Sequence, residues 1–352
     1  MINLCRRQQR ADTIKRLMKG MIYMTPYEYT KKLLANRKPS MRWNGIVPIL
    51  EWQSLARDRL SELLGLDYMI TAERDVVTEY DREEPEFREI RFRFQSEPGY
   101  YVPCHLLIPK NAAKPLPTVI ALQGHSMGMH ISLGRTKYPG ETVDGDRDFC
   151  VRAVREGFAA IALEQRDFGE CGGNENGPQC FEPAMADLLI GRTVIGERVW
   201  DVMRCVDTLI SDFADIVDKR SIYVMGNSGG GTTSVYAAAL EKRLAGAVPS
   251  CAVSTFAGSI GAMRHCACNY VPGILRYFDM GELLALAAPK KLVVVSGALD
   301  PIFPLDGAKR MVADAKRVYD ALGMSDSIAH VIGPEGHRFY ADIAWDALKR
   351  ML

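Results

Sequence analysis

Residues 221–231 read Ser-Ile-Tyr-Val-Met-Gly-Asn-Ser-Gly-Gly-Gly, a stretch that joins an apolar run to a serine and four glycines. The run Ser221–Met225 predicts a buried strand, and Thr232–Leu240 predicts a helix. Ser228 then lies in a tight turn between strand and helix, where the flanking glycines let the backbone bend without clashes. Such a turn presents the serine hydroxyl above a sheet, at the positive end of a helix dipole. The alternative is a glycine-rich helix start or a phosphate-binding loop.

The rest of the chain places this turn in a mixed α/β domain. Short runs of Val, Ile, Ala and Leu alternate with amphipathic stretches, which indicates strands buried on both faces and helices that cross between them. Predicted strands are Thr118–Leu122, Ala159–Leu163, Ser221–Met225, Ala245–Val248, Lys291–Val295 and Ile328–Ile332. Predicted helices are Asp146–Glu156, Ile195–Ser211, Thr232–Leu240, Leu305–Leu322 and Ile343–Leu352. The pattern predicts a mostly parallel, doubly wound sheet with right-handed crossovers.

The first third of the chain differs from this pattern. Residues 1–71 predict a helical N-terminal extension, most clearly at Tyr27–Ala35 and Ser54–Leu66, and residues 72–352 predict the catalytic domain. Arg88–Gln95 and Tyr100–Pro109 predict an N-terminal antiparallel hairpin, joined by the turn Pro98-Gly99. The extension either covers the core of the main domain or serves as a cap or an oligomer contact.

Composition excludes several classes of protein. The chain has 352 residues, 47% of them hydrophobic, and a formal net charge of +1, so neither nucleic acid nor a charged membrane surface is an expected partner. We find no secretory signal and no run of roughly 18 apolar residues that would span a membrane. The nine cysteines are scattered along the chain, which predicts reduced thiols in a cytoplasmic protein. The sequence is compatible with a homo-oligomer.

A serine nucleophile needs a base, and the base needs an orienting acid. In strand–turn–helix sites of this kind the chain order is serine, then Asp or Glu, then His. His337 lies in a loop after the last predicted strand, whereas His330 lies inside that strand and is expected in the core. Asp300 follows the strand Lys291–Val295 directly and is the predicted acid, with Asp306 and Glu335 as rivals.

Acyl transfer also requires hydrogen-bond donors for the oxyanion. One predicted donor is the backbone N–H of Gly229, the residue after the nucleophile. The second is the backbone N–H of His125, in the loop Gln123–Gly128 that follows the strand Thr118–Leu122. The side chains of His125 and Gln123 are expected to shape the site.

With these residues placed, the chain resembles the α/β-hydrolase superfamily from about residue 72 to its end. More narrowly, it is similar to the acetyl xylan esterase-like and dienelactone hydrolase-like group. The stretches that carry the resemblance are LQGHSMG, ALEQRDFGECGG, GNSGGGTTSVYAAAL, HCACNYVPGI, SGALDPIFP and GPEGHRFY. The resemblance implies that Arg166–Gly169 form one wall of the site, with Arg166 facing substrate. Dienelactone hydrolases use cysteine where this chain has Ser228, so the serine favours a likeness to the esterases. The loop Gln123-Gly124-His125 departs from the His-Gly-Tyr loop of known cephalosporin and xylan deacetylases.

One further stretch could bind a metal. His265, Cys266 and Cys268 carry nitrogen and sulfur atoms of the kind that ligate zinc. Three ligands so close in sequence rarely converge on one ion, so we predict no metal and no cofactor. The stretch is instead expected to lean over the site, with Asn269 and Tyr270 in contact with substrate.

Together these features predict a serine carboxylesterase that hydrolyses small acyl esters, acetyl foremost, of a carbohydrate. The expected partner is a small ester, such as an acetylated oligosaccharide. The alternatives are a peptidase or amidase of the prolyl-oligopeptidase type and a catalytically silent binding protein with the same fold. Residues 1–71 are too few and too helical for the propeller that such peptidases carry.

Overall fold

A nine-stranded sheet is the centre of the part of the chain that the computed structural model describes, residues 24–110 and 112–352. The strands are β1 Val77–Glu83, β2 Phe87–Glu97, β3 Tyr100–Pro109, β4 Leu116–Leu122, β5 Ala159–Leu163, β6 Val217–Asn227, β7 Gly246–Ser250, β8 Lys291–Gly297 and β9 Ile328–Gly333. Their order across the sheet is β1-β2-β3-β5-β4-β6-β7-β8-β9. Strands β1 to β3 pair antiparallel, as do β3 and β5, and all pairs from β5 to β9 are parallel.

Helices precede and follow the strands. They are α1 Pro26–Ala35, α2 Ile49–Leu64, α3 Phe149–Arg155, α4 Phe181–Ile190, α5 Val194–Asp212, α6 Gly229–Leu240, α7 Met280–Leu286, α8 Leu305–Ala321 and α9 Ala341–Lys349. Helix α1 belongs to one unit, which ends at Arg37, and all other elements belong to a second unit, which begins at Lys38. Within α1, Thr25 and Glu28 form a capping box that satisfies the first backbone N–H groups. None of the described helices is long and apolar enough to cross a membrane.

The predicted α/β class and mostly parallel sheet are confirmed. Each predicted apolar run overlaps a strand, although the run at Ala245 begins one residue before β7, and the predicted hairpin is β2 and β3. Strand β1 and helices α4 and α7 were not predicted. The part of the predicted extension at residues 1–23 lies outside the described residues.

The alternation of side-chain direction along the central strands explains why helices pack on both faces of the sheet. In β4, Ile120 and Leu122 pack into a core shared with helices α2, α5, α6, α7 and α8, whereas Val119 and Ala121 pack into a core shared with α3 and α9. Successive side chains of a strand point to opposite faces, so an apolar strand supplies both cores. The helices therefore cover both faces and leave the carboxyl ends of the parallel strands free for a site.

Helix α2 contributes to the core of the larger unit. Trp52, Ala56, Leu60 and Leu64 recur at helical spacing, are buried, and pack in the same core as β2 and β4. The helix ends at Gly65, which has a φ of 74° and so adopts the left-handed conformation that glycine tolerates best. The division after residue 71 into an extension and a catalytic domain stays a prediction.

Candidate active site

Ser228 lies alone between the end of β6 at Asn227 and the start of α6 at Gly229. Its φ of 55° and ψ of −118° are rare for a residue with a side chain, so the turn is strained. The backbone holds this strain because the Ser228 N–H donates to Ser250 O at 2.8 Å and the Ser228 carbonyl accepts from Thr232 N at 2.8 Å. Strain of this kind concentrates at functional sites, where the surrounding structure enforces it.

Glycine at position 230 allows helix α6 to lie close to the neighbouring strand. A Cβ atom there would overlap the carbonyl group of Leu122, the last residue of β4. The helix N-terminus and the loop after β4 are therefore in direct contact. The glycine pattern around Ser228 thus serves close approach as well as the turn.

Asp300 and His337 form a hydrogen-bonded pair in the loops after β8 and β9. His337 Nδ1 donates to Asp300 Oδ2 at 2.8 Å, and Asp300 Oδ1 accepts from the N–H groups of Ile302 and Phe303 at 2.8 and 3.1 Å. Burial alone would raise the pKa of Asp300, but the hydrogen bond and charge of His337 and the two N–H groups hold it below its usual value. The bond to Nδ1 leaves His337 Nε2 free to act as a base.

The loops that carry this pair are joined through their backbones. Ala298 N donates to Gly333 O and Leu299 N donates to Glu335 O, each at 2.8 Å. A side chain at Gly297 would overlap Gly336, so glycine at 297 allows the two loops to meet. The pairing of β8 with β9 thus continues past the ends of both strands.

The rival carboxylates lie elsewhere. Asp306 is exposed in the first turn of α8, and Glu335 is exposed and forms an ion pair with Arg338 at 3.1 Å. Among the three candidates, only Asp300 is hydrogen-bonded to His337 within the described residues.

A cavity of about 250 Å³ opens beside the serine. Ser228 and His337 both contribute to its wall, as do residues from the loops after β4 and before α3. The lining residues are Gln123, Gly124, His125, Asp144, Gly145, Arg147, Phe149, Asn227, Ser228, His337, Arg338 and Phe339. The volume lies just below the range typical of drug-sized ligand sites, which suits a small reacting group.

The predicted oxyanion donors lie on either side of this serine. Gly229 is the first residue of α6, where backbone N–H groups have no partner inside the helix. The ring of His125 lies against it, since a Cβ atom at Gly229 would be 2.9 Å from two atoms of that ring. The structure therefore brings together Ser228, Gly229 and His125, as the sequence predicted, although the donor roles stay predictions.

The other predicted substrate contacts divide into two groups. Gln123 lines the cavity, but its amide is occupied, because Nε2 donates to Ser132 Oγ and to Arg147 O at 2.7 Å each. Asn269 is buried and bonded through Nδ2 to His265 Nδ1 at 3.0 Å, and Tyr270 donates to the carbonyl of Ile260 at 3.0 Å. Neither Asn269 nor Tyr270 is among the lining residues of the cavity.

Arg166 does not line the cavity, in contrast to its predicted role. Its guanidinium is buried and forms ion pairs with Asp201 and Glu97 at 2.9 Å and with Glu197 at 3.0 Å. It also lies 4.2 Å from the centre of the Tyr100 ring. Burial alone would lower the pKa of Arg166, but the carboxylates around it, Asp201 foremost, raise it, so the group is always charged. Arg166 therefore joins the loop after β5 to β2 and α5.

Replacing Arg166 with methionine is expected to destabilise the fold by about 3–5 kcal/mol, because it leaves the fully buried carboxylate of Asp201 without its cation. Urea unfolding measures the loss. The double variant Arg166→Met/Asp201→Asn should recover part of it. If the folded Arg166→Met protein instead keeps wild-type stability and shows a raised KM, Arg166 contacts substrate as predicted from the resemblance.

His330 lies in β9 and takes no part in the cavity. Its Nε2 is 2.9 Å from Ser296 Oγ, and burial lowers its pKa to about 4. The native ring thus binds fewer protons than the unfolded one, whose pKa is about 6.5. The titration of His330 therefore favours the folded state above about pH 6.5, and this contribution to the free energy of unfolding is lost as pH falls towards 4.

In the variant His330→Gln, this loss is expected to shrink. Glutamine can keep a hydrogen bond to Ser296 but does not titrate. The free energy of unfolding should fall less between pH 7 and pH 5 than in the wild type, by on the order of 1 kcal/mol. Urea unfolding at the two pH values measures it, and an identical pH dependence in both proteins would show that His330 is solvated in the native state.

Several cavity residues could not be found from sequence. Asp144, Gly145 and Arg147 precede α3, and Arg147 was predicted to lie inside that helix. Arg338 and Phe339 belong to the stretch GPEGHRFY that carries the resemblance, but neither residue was predicted to line the site. The Arg147 guanidinium donates to Thr142 O at 3.1 Å and forms no ion pair with any described residue. It is a cation at the cavity wall, and Glu141 acts on it only through longer-range charge attraction.

Comparison with known proteins finds a hydrolase among the relatives of this chain. No family model matches the chain. The protein YtaP of Bacillus subtilis (strain 168), a proposed hydrolase, is 26% identical over 255 residues, which cover 70% of this chain and 81% of YtaP.

Solved structures of esterases share the fold. A proposed acetyl xylan esterase from Bacteroides fragilis superposes with a TM-score of 0.75 at 17% identity, over 88% of this chain and 82% of that one. A glucuronoyl esterase from Solibacter usitatus superposes with a TM-score of 0.61 at 16% identity, over 90% of this chain and 98% of that one. The predicted resemblance is confirmed at the level of the fold: this chain has the α/β-hydrolase fold, as acetyl xylan esterases and glucuronoyl esterases do.

Proposed function

We propose that the protein is a serine carboxylesterase that hydrolyses small acyl esters, acetyl foremost, of a carbohydrate. The observation that carries the proposal is the pair of Asp300 and His337, bonded at 2.8 Å, with His337 on the wall of the same cavity as the strained Ser228. The small cavity supports a short acyl group. The esterases that share the fold support ester over amide chemistry.

The steps follow from these positions. His337 Nε2 takes the proton of Ser228 Oγ as that oxygen attacks the ester carbonyl. The backbone N–H groups of Gly229 and His125 hold the oxyanion. His337 then protonates the leaving alcohol. A water molecule, deprotonated by His337, attacks the acyl group, and His337 returns this proton to Ser228 Oγ as the acid leaves. Asp300 keeps the proton on Nδ1 throughout.

A fluorophosphonate probe and an ester panel test the proposal. The probe should label Ser228, identified by mass spectrometry of the peptide, and hydrolysis should be faster for acetyl than for butyryl and feruloyl esters. No adduct at Ser228 would favour the catalytically silent alternative. Faster hydrolysis of peptide amides than of esters would favour the peptidase alternative.

Arg147 supports a second candidate, an ester on an acidic sugar. A guanidinium that lacks an acidic partner can bind a carboxylate on the substrate with two parallel hydrogen bonds. The panel therefore includes acetylated oligosaccharides with and without a free uronate residue. A lower KM for the uronate-bearing substrates would favour this candidate, and equal KM values would exclude it.

A further inference from the structure

Four metal-ligating side chains from three distant segments meet beside the cavity. Cys180 is the residue before α4, Cys266 and Cys268 lie in the loop after β7, and His125 lies in the loop after β4. Their ligand atoms all lie within 4.8 Å of one another. His125 Nε2 is 3.2 Å from Cys268 Sγ, which is 3.3 Å from Cys266 Sγ. The sequence analysis predicted no metal because ligands as close in sequence as His265, Cys266 and Cys268 rarely converge on one ion. His265 lies outside the group, but His125 and Cys180 lie within it.

The arrangement fits a tetrahedral ion. Zinc binds thiolate sulfur at about 2.3 Å and imidazole nitrogen at about 2.0 Å, so in a tetrahedral site nitrogen and sulfur lie about 3.5 Å apart and two sulfurs about 3.8 Å apart. The measured distances of 3.2 Å and 3.3 Å are shorter than these values by about 0.3–0.5 Å, so the ligand atoms would move apart by that amount on binding the ion. Three cysteines and one histidine are one of the ligand sets of structural zinc sites. The described residues hold one other group of this kind, Cys251, Asp300 and His337, and the proposed acid–base pair accounts for two of its three members.

A buried cation beside the cluster matches its charge. Zinc with three thiolates and a neutral imidazole carries a net charge of −1. The side chain of Arg198 is only 1% exposed, and its Nη2 donates to Cys180 Sγ at 3.3 Å. Its acidic neighbour, Asp167, is 3.7 Å away, and its Nη1 has no hydrogen-bond partner among the described residues. An anionic cluster at this place would balance a buried charge that is otherwise incompletely paired.

We propose that His125, Cys180, Cys266 and Cys268 bind one thiophilic divalent metal ion, zinc by its ligand preference, in a closed four-coordinate site. Binding releases the three thiol protons to solvent, and His125 ligates as neutral imidazole through Nε2. Because the protein fills all four positions, the ion is structural and has no open position for substrate.

The site would fix the loop that carries the second oxyanion donor. His125 contributes its ring to the ion and, under the proposed function, its backbone N–H to the oxyanion. The same ring lies against Gly229. The ion would thus hold the loop after β4 in place against helix α6, which makes it a positioning element. This consequence rests on the proposed function, whereas metal binding itself does not.

Metal content of the full chain tests the proposal. Protein expressed with added zinc and purified in reducing buffer, without a metal-binding tag or chelator, should contain about one zinc per chain, and Cys266→Ser and Cys268→Ser less than about 0.2. Cys150→Ser is the matched control, since Cys150 is a buried free thiol of α3 outside the cluster. It should keep about one zinc per chain.

Cobalt(II) loading gives a second measurement that does not depend on the serine variants folding. The wild type should show thiolate-to-cobalt charge-transfer bands and the d–d bands of a tetrahedral ion. His125→Cys, which keeps four ligands, should retain the metal with altered bands. Less than about 0.1 zinc per loaded wild-type chain would overturn the proposal. So would equal zinc in Cys150→Ser and the ligand variants, or a reductant-sensitive mass loss of two hydrogens that reveals a disulfide within the cluster. No substrate is used, so the proposed function can fail independently.

Discussion

Replacing Ser228 with alanine is expected to lower kcat for acetyl ester hydrolysis by at least about 10⁴-fold, which corresponds to about 5 kcal/mol of transition-state stabilisation. Alanine removes the oxygen that forms the acyl-enzyme, and the remaining groups can only orient water. The KM should change little, because the cavity keeps its other walls. Steady-state kinetics on p-nitrophenyl acetate measures both constants.

Ser221→Ala is the matched control for this variant. Ser221 belongs to the same strand, β6, but lies several residues before its carboxyl end and is bonded to Asp218. Its loss should leave kcat within about twofold of the wild type, as for most substitutions away from a site. Wild-type rates in Ser228→Ala would show that another residue is the nucleophile.

Replacing Asp300 with asparagine is expected to lower kcat by about 10³–10⁴-fold while the chain stays folded. The amide can still accept from the N–H groups of Ile302 and Phe303 through its oxygen, so the loop keeps its shape. The atom that faces His337 Nδ1 then donates instead of accepting. His337 would carry its proton on Nε2, where it must accept the serine proton.

Asp306→Asn separates this effect from the loss of a nearby negative charge. Asp306 is the exposed rival carboxylate at the start of α8. Its variant should keep kcat within about twofold, and its free energy of unfolding should fall by no more than about 1 kcal/mol through the helix dipole. A large loss of kcat in Asp306→Asn, with little loss in Asp300→Asn, would assign the acid to Asp306.

The sheet could be predicted because its central strands are buried on both faces. Every residue of Ala159–Leu163 is buried, so an uninterrupted apolar run was the expected pattern. Strand β1 gives no such signal. Its sequence Val77–Glu83 is rich in charged residues and mostly exposed at the sheet edge, as edge strands often are.

The residues of the candidate site likewise differ in whether the sequence could predict them. Ser228, Asp300 and His337 could be predicted because each follows a strand, and parallel strands bring their carboxyl ends to one edge. Arg166 also follows a strand, but its side chain pairs with carboxylates on β2 and α5, and no local pattern predicts that pairing. The proposed metal site could not be predicted for the same reason, since two of its ligands, His125 and Cys268, lie 143 residues apart in sequence.

The continued pairing of β8 with β9 has a dynamic consequence. The bonds from Ala298 to Gly333 and from Leu299 to Glu335 couple the loop of Asp300 to the loop of His337. Motions of the cavity are therefore expected to change the separation of His337 from Ser228 more than its separation from Asp300. Substitutions elsewhere in these two loops are then expected to change mainly the fraction of molecules in which His337 lies within reach of Ser228.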